Sequence, residues 1–262
     1  KVINLPSWDF SRDGNAWQQV AVPHDWAISG PFDKKWDLQM VAIEQNGETE
    51  KTEKSGRSGA LPWIGEGMYK MNWTAPKGYK RAVLVFDGAM SQPVVSVNGK
   101  EAGKWAYGYN AFRIDITPFI QFGKSNLIEV HLNNVEESSR WYPGGGLYRP
   151  VSVELYGNEN FSTWDTFVRT LKADKQEAEV EVNALLEGKT GKSGKTVIAL
   201  LDEAGKKVAE QIVTGANPEI KTTLKVANPQ LWSPESPYLY QVKLTRYEGK
   251  KVADVQTLKT GI

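Results

Sequence analysis

The sequence predicts an all-β protein made of two consecutive domains. Apolar residues recur with period two and not with the helical period, and the alternating stretches are short and bounded by Gly, Pro, Asn and Asp. The 262 residues exceed the length of most single sandwiches, because a domain usually holds about 100 to 200 residues. With 40% hydrophobic residues, each domain can bury an apolar core without a metal or a disulfide.

Strand-like alternation marks the first half of the chain. Each run predicts a strand with one buried face, because side chains alternate between the two faces of a sheet. The apolar phases of three such runs are Tyr69, Met71 and Trp73; Ile128, Val130 and Leu132; and Val151, Val153 and Leu155.

A β-hairpin is predicted at Asn98-Gly99. Both residues tolerate positive φ, so we expect a type I′ turn between the strands on either side. Residues 112–117 predict a further strand, which ends at Pro118 because proline cannot donate to the ladder. Residues 44–60 are polar, charged and glycine-containing, which is typical of a solvated insertion loop.

The composition changes at residues 157–160, and we place the domain boundary there, giving domains 1–157 and 158–262. Beyond it, apolar and polar residues alternate through 178–184, and two further strands flank a turn at 202–205. Roughly seven short strands in about 100 residues predict an immunoglobulin-like sandwich. With no cysteine in the chain, apolar packing must hold its two sheets together.

Charge and cysteine content exclude several functional classes. Lys plus Arg, at 32, nearly cancel Asp plus Glu, at 31, so we expect no nucleic-acid partner and no membrane partner. The absence of cysteine excludes thiolate catalysis and Cys-ligated zinc, although it does not identify the compartment. The chain begins at Lys1 without an initiating Met or a signal peptide, so we expect a processed or trimmed piece of a longer protein.

His24 beside Asp25 suggests an acid/base pair. Neighbours on an extended chain point to opposite faces, so we favour a structural role for both. His131 lies in the polar phase of a strand and has no His or Cys at metal-ligand spacing. We therefore expect no metal site and no cofactor.

The loop around residues 140–146 contains the best surface candidates. Its glycines lack the Lys-Ser/Thr of a phosphate loop and are interpreted as tight turns. Arg140 beside Trp141 and Tyr142 combines a planar donor with aromatic faces, which suits a sugar ring. Alternatively, the two aromatic rings pack beneath the loop and Arg140 pairs with a carboxylate. The adjacent Glu136 and Glu137 could suggest a pair of catalytic carboxylates. A retaining glycosidase, however, needs two carboxyl groups roughly 5 to 5.5 Å apart across the scissile bond, and adjacent residues are not expected to meet that geometry. We therefore interpret them as part of a solvated loop.

Seven phrases, in order, resemble the sugar-binding domain of glycoside hydrolase family 2. They are Val-Pro-His-Asp-Trp at 22–26, Gly-Pro-Phe-Asp at 30–33, Phe-Asp-Gly at 86–88, Val-Asn-Gly at 97–99, Gly-Tyr at 108–109, Phe-Arg-Ile-Asp-Ile-Thr at 112–117 and Arg-Trp-Tyr-Pro-Gly-Gly-Gly-Leu-Tyr-Arg at 140–149. The second half is similar to the immunoglobulin-like domain that follows in that family, through residues 164–168 and 228–240. The likeness covers essentially the whole chain.

The resemblance implies a jelly-roll domain of the galactose-binding type, an immunoglobulin-like sandwich, and then a (β/α)8 barrel with two catalytic glutamates. Residues 260–262 look like the phrase that leads into that barrel, so no glutamate present here takes a catalytic role. In the family, jelly-roll loops approach the barrel mouth and help to shape the subsite for the non-reducing sugar. By that likeness Asn133, Asn134, Arg140 and Trp141 are accessory sugar-subsite candidates.

The expected function is therefore that of a non-catalytic N-terminal part of a retaining exo-glycosidase of the β-galactosidase type. Its partners would be a galactoside or related glycoside and its own C-terminal barrel, and an exported or periplasmic location is expected for a bacterial glycan-degrading enzyme. Alone, the chain should bind sugar weakly or undetectably and hydrolyse none. Two alternatives stay open: a free-standing carbohydrate-binding module, and a structural surface protein of immunoglobulin-like domains, although the two halves show no mutual repetition.

Overall fold

The computed structural model of the protein describes residues 1–33, 63, 65–135 and 144–262. The chain folds into two compact units, Lys1–Leu155 and Tyr156–Ile262. Both units are built from antiparallel strands, which confirms the predicted all-β fold. The predicted loop at 44–60 lies outside the described residues. Within the described ranges, no helix has the length and apolar character that a membrane span requires.

The described part of the first unit contains ten strands and one turn of 3-10 helix at Trp26–Ser29. The strands are β1 (Val2–Asn4), β2 (Ser7–Ser11), β3 (Gln18–Ala21), β4 (Glu66–Thr74), β5 (Arg81–Phe86), β6 (Val94–Val97), β7 (Lys100–Lys104), β8 (Phe112–Asp115), β9 (Ser125–Asn133) and β10 (Val151–Tyr156).

These strands form two sheets, in the orders β1-β10-β5-β8 and β3-β2-β4-β9-β6-β7. One apolar core takes side chains from both sheets, as a sandwich requires. The alternation places Ile128, Val130 and Leu132 of β9 in this core, and Val151 and Val153 of β10 face it as well. The predicted buried faces of these strands are therefore confirmed.

The predicted hairpin joins β6 to β7, with Val97 paired to Lys100. Asn98 and Gly99 have φ values of 52° and 75°, both in the left-handed region, which confirms the primed turn. The Asn98 side chain also fixes the turn, because its Oδ1 accepts a hydrogen bond of 3.0 Å from Leu127 N and its Nδ2 donates to Phe119 O at 2.9 Å.

The second unit contains eight strands, one more than the roughly seven expected. They are β11 (Glu159–Phe161), β12 (Phe167–Ala173), β13 (Glu177–Gly188), β14 (Gly194–Leu201), β15 (Lys207–Thr214), β16 (Glu219–Ala227), β17 (Tyr240–Glu248) and β18 (Lys251–Thr260). In one sheet β13 pairs with β11, β12 and β16, and the other has the order β15-β14-β17-β18. A second apolar core, with no disulfide, draws on β13, β14, β16 and β17.

Residues 157–160 contain the start of β11. Glu159 is buried there, and its two carboxylate oxygens accept hydrogen bonds from Arg246 of β17 at 3.0 Å and 3.1 Å. The polar composition of this segment therefore reflects, in part, a buried ion pair that sequence reasoning did not identify.

Candidate functional site

Asn133, the last residue of β9, is the more exposed of the two predicted sugar-subsite residues that the structure describes. Its backbone N–H donates to Ser91 O at 2.9 Å, and Ser91 Oγ donates to Asn133 O at 2.6 Å. Its side chain is half-buried, and its amide makes no hydrogen bond to any described residue. Two other predicted members, Arg140 and Trp141, lie outside the described residues.

Asn134 is placed differently from its neighbour, since its side chain is only 2% exposed. Its backbone N–H donates to Gly65 O at 3.0 Å, and its Nδ2 donates to Gly144 O at 2.9 Å. Its Oδ1 is buried and has no hydrogen-bond partner among the described residues. The amide therefore anchors the start of the glycine run and offers little surface for direct contact with a ligand.

The segment His24–Trp26 lies against that same glycine run. His24 N donates to Leu147 O at 2.7 Å, and Trp26 N donates to Gly145 O at 3.0 Å. Asp25 Oδ1 accepts from Gly145 N at 3.2 Å and from Ala27 N at 3.0 Å. Asp25 thus caps the 3-10 helix and binds the glycine run with one oxygen.

His24 has a partner of its own, because its Nδ1 lies 2.7 Å from the hydroxyl of Tyr69. Burial lowers the pKa of His24, against the opposing charge of Asp25, and burial also raises the pKa of Tyr69. Both shifts favour the uncharged forms near neutral pH. His24 and Asp25 therefore take different hydrogen-bond partners, and the geometry is that of a packed structural cluster.

Trp26 is the centre of this cluster and is fully buried. Its ring lies 5.7 Å from Phe10, centroid to centroid, at an interplanar angle of 19°. A Cβ atom at Gly67 would fall far inside van der Waals contact with this ring, and one at Gly145 would lie 2.5 Å from Trp26 Nε1. Close approach to an aromatic ring thus requires glycine at both positions, a reason separate from the tight turns predicted around residues 140–146.

Gly144 and Gly146 need glycine for a different reason. Their φ values of +88° and +112° are backbone conformations that other residues rarely adopt. A side chain at Gly146 would also collide with Tyr69 Oη and His24 O. Asn134, Asp25 and Trp26 therefore pack with Gly144–Gly146 in the same cluster.

The chemistry available at this cluster is positioning and hydrogen bonding. Within residues 1–33, 63, 65–135 and 144–262, no three His, Cys, Asp or Glu side chains are grouped so that they could hold a metal ion. His131 instead lies on the surface with its Nε2 atom 3.2 Å from Glu66 Oε2.

Known proteins share this architecture. Residues 162–262 match the family model for glycosyl hydrolases family 2. The β-galactosidase BoGH2A of Bacteroides ovatus is 31% identical over 95% of this chain and 28% of its own length, and a β-glucuronidase of Formosa agariphila is 25% identical over 97% of this chain and 27% of its own. A solved family 2 member from Bacteroides cellulosilyticus superposes with a TM-score of 0.79 at 30% identity, over 100% of this chain and 35% of that one.

The chain thus spans about a quarter of the length of these two curated relatives. The family-model match falls in the second unit, and the matches to relatives and solved structures extend through the first. The chain belongs to glycoside hydrolase family 2.

Proposed function

We propose that residues 1–262 are the non-catalytic N-terminal part of a retaining exo-glycosidase that cleaves terminal β-galactosides. In this proposal the acid/base and nucleophilic carboxylates belong to a barrel that follows in the same polypeptide. The observation that carries it is the family membership, combined with relatives about three to four times longer that bear glycosidase names.

The first unit would act by position. Asn133 offers a side-chain amide that makes no hydrogen bond to a described residue. It lies next to the packed cluster that Asn134, Asp25 and Trp26 form. Arg140 and Trp141 lie in the sequence between Asn134 and Gly144. Holding a sugar in one orientation against the barrel raises the rate, because it removes orientational freedom before reaction. We assign Asn133, Arg140 and Trp141 to sugar contact, and the buried Asn134 to positioning.

The assay uses nitrophenyl β-galactoside and nitrophenyl β-glucuronide. Purified residues 1–262 should turn over neither substrate, and measurable hydrolysis by this fragment would refute the non-catalytic role. The full-length protein should prefer the galactoside, and a preference for the glucuronide would overturn the substrate assignment while leaving the family intact.

Asn133→Ala in the full-length protein tests the assignment of Asn133 to sugar contact. It should raise KM for the preferred substrate about tenfold, the loss of one good hydrogen bond to the sugar. Asn72→Ala is the matched control, because Asn72 is an exposed amide on β4, and its KM should not change. An unchanged KM in Asn133→Ala would remove Asn133 from the subsite. Tight glycan binding by the fragment alone would favour a free-standing binding module.

A further inference from the structure

A separate aromatic surface lies between the end of β7 and the start of β8. Trp105 is 40% exposed and Tyr107 is 58% exposed. Both rings border a shallow pocket of about 510 Å³, and pockets for small ligands occupy about 300 to 1,000 Å³. The pocket is lined by Gln92, Lys104, Trp105, Ala106 and Tyr107.

Trp105 is held in one orientation by a stack of three rings that rises from the core. The buried rings of Phe86 and Phe112 are parallel within 8°, with centroids 4.6 Å apart. Trp105 lies over Phe112 at 5.6 Å and 7°. Trp105 Nε1 also donates to Asn110 Oδ1 at 2.9 Å. A ring fixed in this way loses little conformational entropy when a ligand stacks on it.

The backbone beside Trp105 is also fixed. Trp105 N donates to Pro93 O at 3.0 Å, and the hydroxyl of Tyr148 donates to Gly108 O at 2.8 Å. Arg149 Nη1 reaches Tyr109 O at 3.3 Å. The aromatic surface is therefore formed before any ligand arrives.

Three polar groups surround the indole: the Gln92 amide, the Lys104 ammonium and the Tyr107 hydroxyl. None of them makes a hydrogen bond to a described residue. A purely apolar partner would bury these groups without hydrogen-bond partners, which is unfavourable. A hexopyranose matches both features, because it has an apolar C–H face and a rim of hydroxyls.

We propose that this surface binds a saccharide, with the C–H face of a hexopyranose ring on Trp105 and its hydroxyls hydrogen-bonded to Gln92, Lys104 and Tyr107. This binding goes beyond the proposed function, because it needs no catalytic barrel and does not use Asn133.

The test uses residues 1–262 with soluble β-1,4-galactan in affinity electrophoresis and β-1,4-galactotetraose in an NMR titration. The indole N–H signal of Trp105, assigned by its loss in Trp105→Phe, should shift with a Kd on the order of 1 mM. Trp105→Ala should weaken retardation in the galactan gel at least tenfold. Trp164→Ala is the control, because Trp164 is 60% exposed in the second unit, and its retardation should match that of the wild type.

Gln92→Ala and Lys104→Ala guard against a folding defect in Trp105→Ala. Both side chains are exposed, so each variant should keep the wild-type unfolding midpoint and still bind galactan several-fold more weakly. Absence of retardation of the wild type, or equal retardation of wild type and Trp105→Ala, would overturn the proposal. Loss of binding in Asn133→Ala with Trp105→Ala unaffected would do the same and assign the sugar to the other subsite. Neither result bears on the turnover assays that test the proposed function.

Discussion

Arg246→Met should strongly destabilise the second unit. Arg246 and Glu159 are each only 1% exposed, and the guanidinium makes two hydrogen bonds to the carboxylate, at 3.0 Å and 3.1 Å. Two of its other donors reach Thr196 Oγ1 and Gly215 O, both at 3.2 Å. Methionine fills part of the volume but leaves the Glu159 carboxylate buried without a counter-charge.

Breaking a buried ion pair from one side costs about 3 to 5 kcal/mol, because the surviving charge keeps its desolvation penalty. Removing both charges in Glu159→Leu/Arg246→Met should restore most of that stability, since two apolar side chains then pack in the same space. A domain of about 100 residues shifts its midpoint by about 4 to 8 °C per kcal/mol. The single variant should therefore melt at least about 12 °C lower, and the double variant close to the wild type.

Scanning calorimetry of the four proteins of this cycle measures the midpoints, and hydrogen-exchange mass spectrometry of peptides within 177–248 assigns the transition to the second unit. Lys243→Met is the matched control, because Lys243 is exposed on the same strand and its loss should change stability by about 0.5 kcal/mol or less. If Arg246→Met cost less than about 1 kcal/mol, or if the double variant were as unstable as the single one, the buried-charge reasoning would be wrong.

Two further predictions concern the packing around Gly67 in the first unit and the titration of Glu181 in the second. Gly67→Ala should destabilise the first unit by about 2 kcal/mol or more, because the new Cβ would overlap the buried Trp26 ring. Gly191→Ala is the control and should be nearly neutral, because no atom lies close to the position of its Cβ. Urea unfolding of both variants measures the two changes in stability. The pKa of Glu181 is lowered to about 2, mainly by hydrogen bonds from Asn183 and Lys221 and also from Arg169, so the unfolded chain binds this proton first. The second unit should therefore lose stability as the pH falls from about 4.5 towards 2, and urea midpoints across this range should depend less on pH in Glu181→Gln; equal slopes would contradict the assignment.

Local features of the fold could be predicted from the sequence because each is encoded by adjacent residues. The alternation through Ile128, Val130 and Leu132 required only the two-residue repeat of a strand, and the structure buries all three. The turn at Asn98-Gly99 required only two residues that accept positive φ. Neither inference depends on what the rest of the chain does.

Features that depend on distant partners could not be predicted in the same way. Glu159 lies 87 residues from Arg246, and nothing in a Gly-Asn-Glu-Asn segment distinguishes a buried pair from a solvated linker. The stack of Phe86, Phe112 and Trp105 likewise joins three segments, so the sequence, with its ten tryptophans, did not show which ring is held on the surface. Tertiary pairing decides both cases.

The packed cluster around Trp26 explains why the separate phrases at 22–26 and 140–149 both carry the family likeness. Asp25 binds the backbone of Gly145, 120 residues later in the chain, and Trp26 leaves no room for a Cβ atom at Gly67 or Gly145. The phrases at 22–26 and 140–149 therefore contain residues whose identity is set by contacts with each other. The sequence identified Asp25 and Gly145 as members of a recognisable pattern, but only the fold shows that the acid of one phrase and the glycine of the other form a single contact.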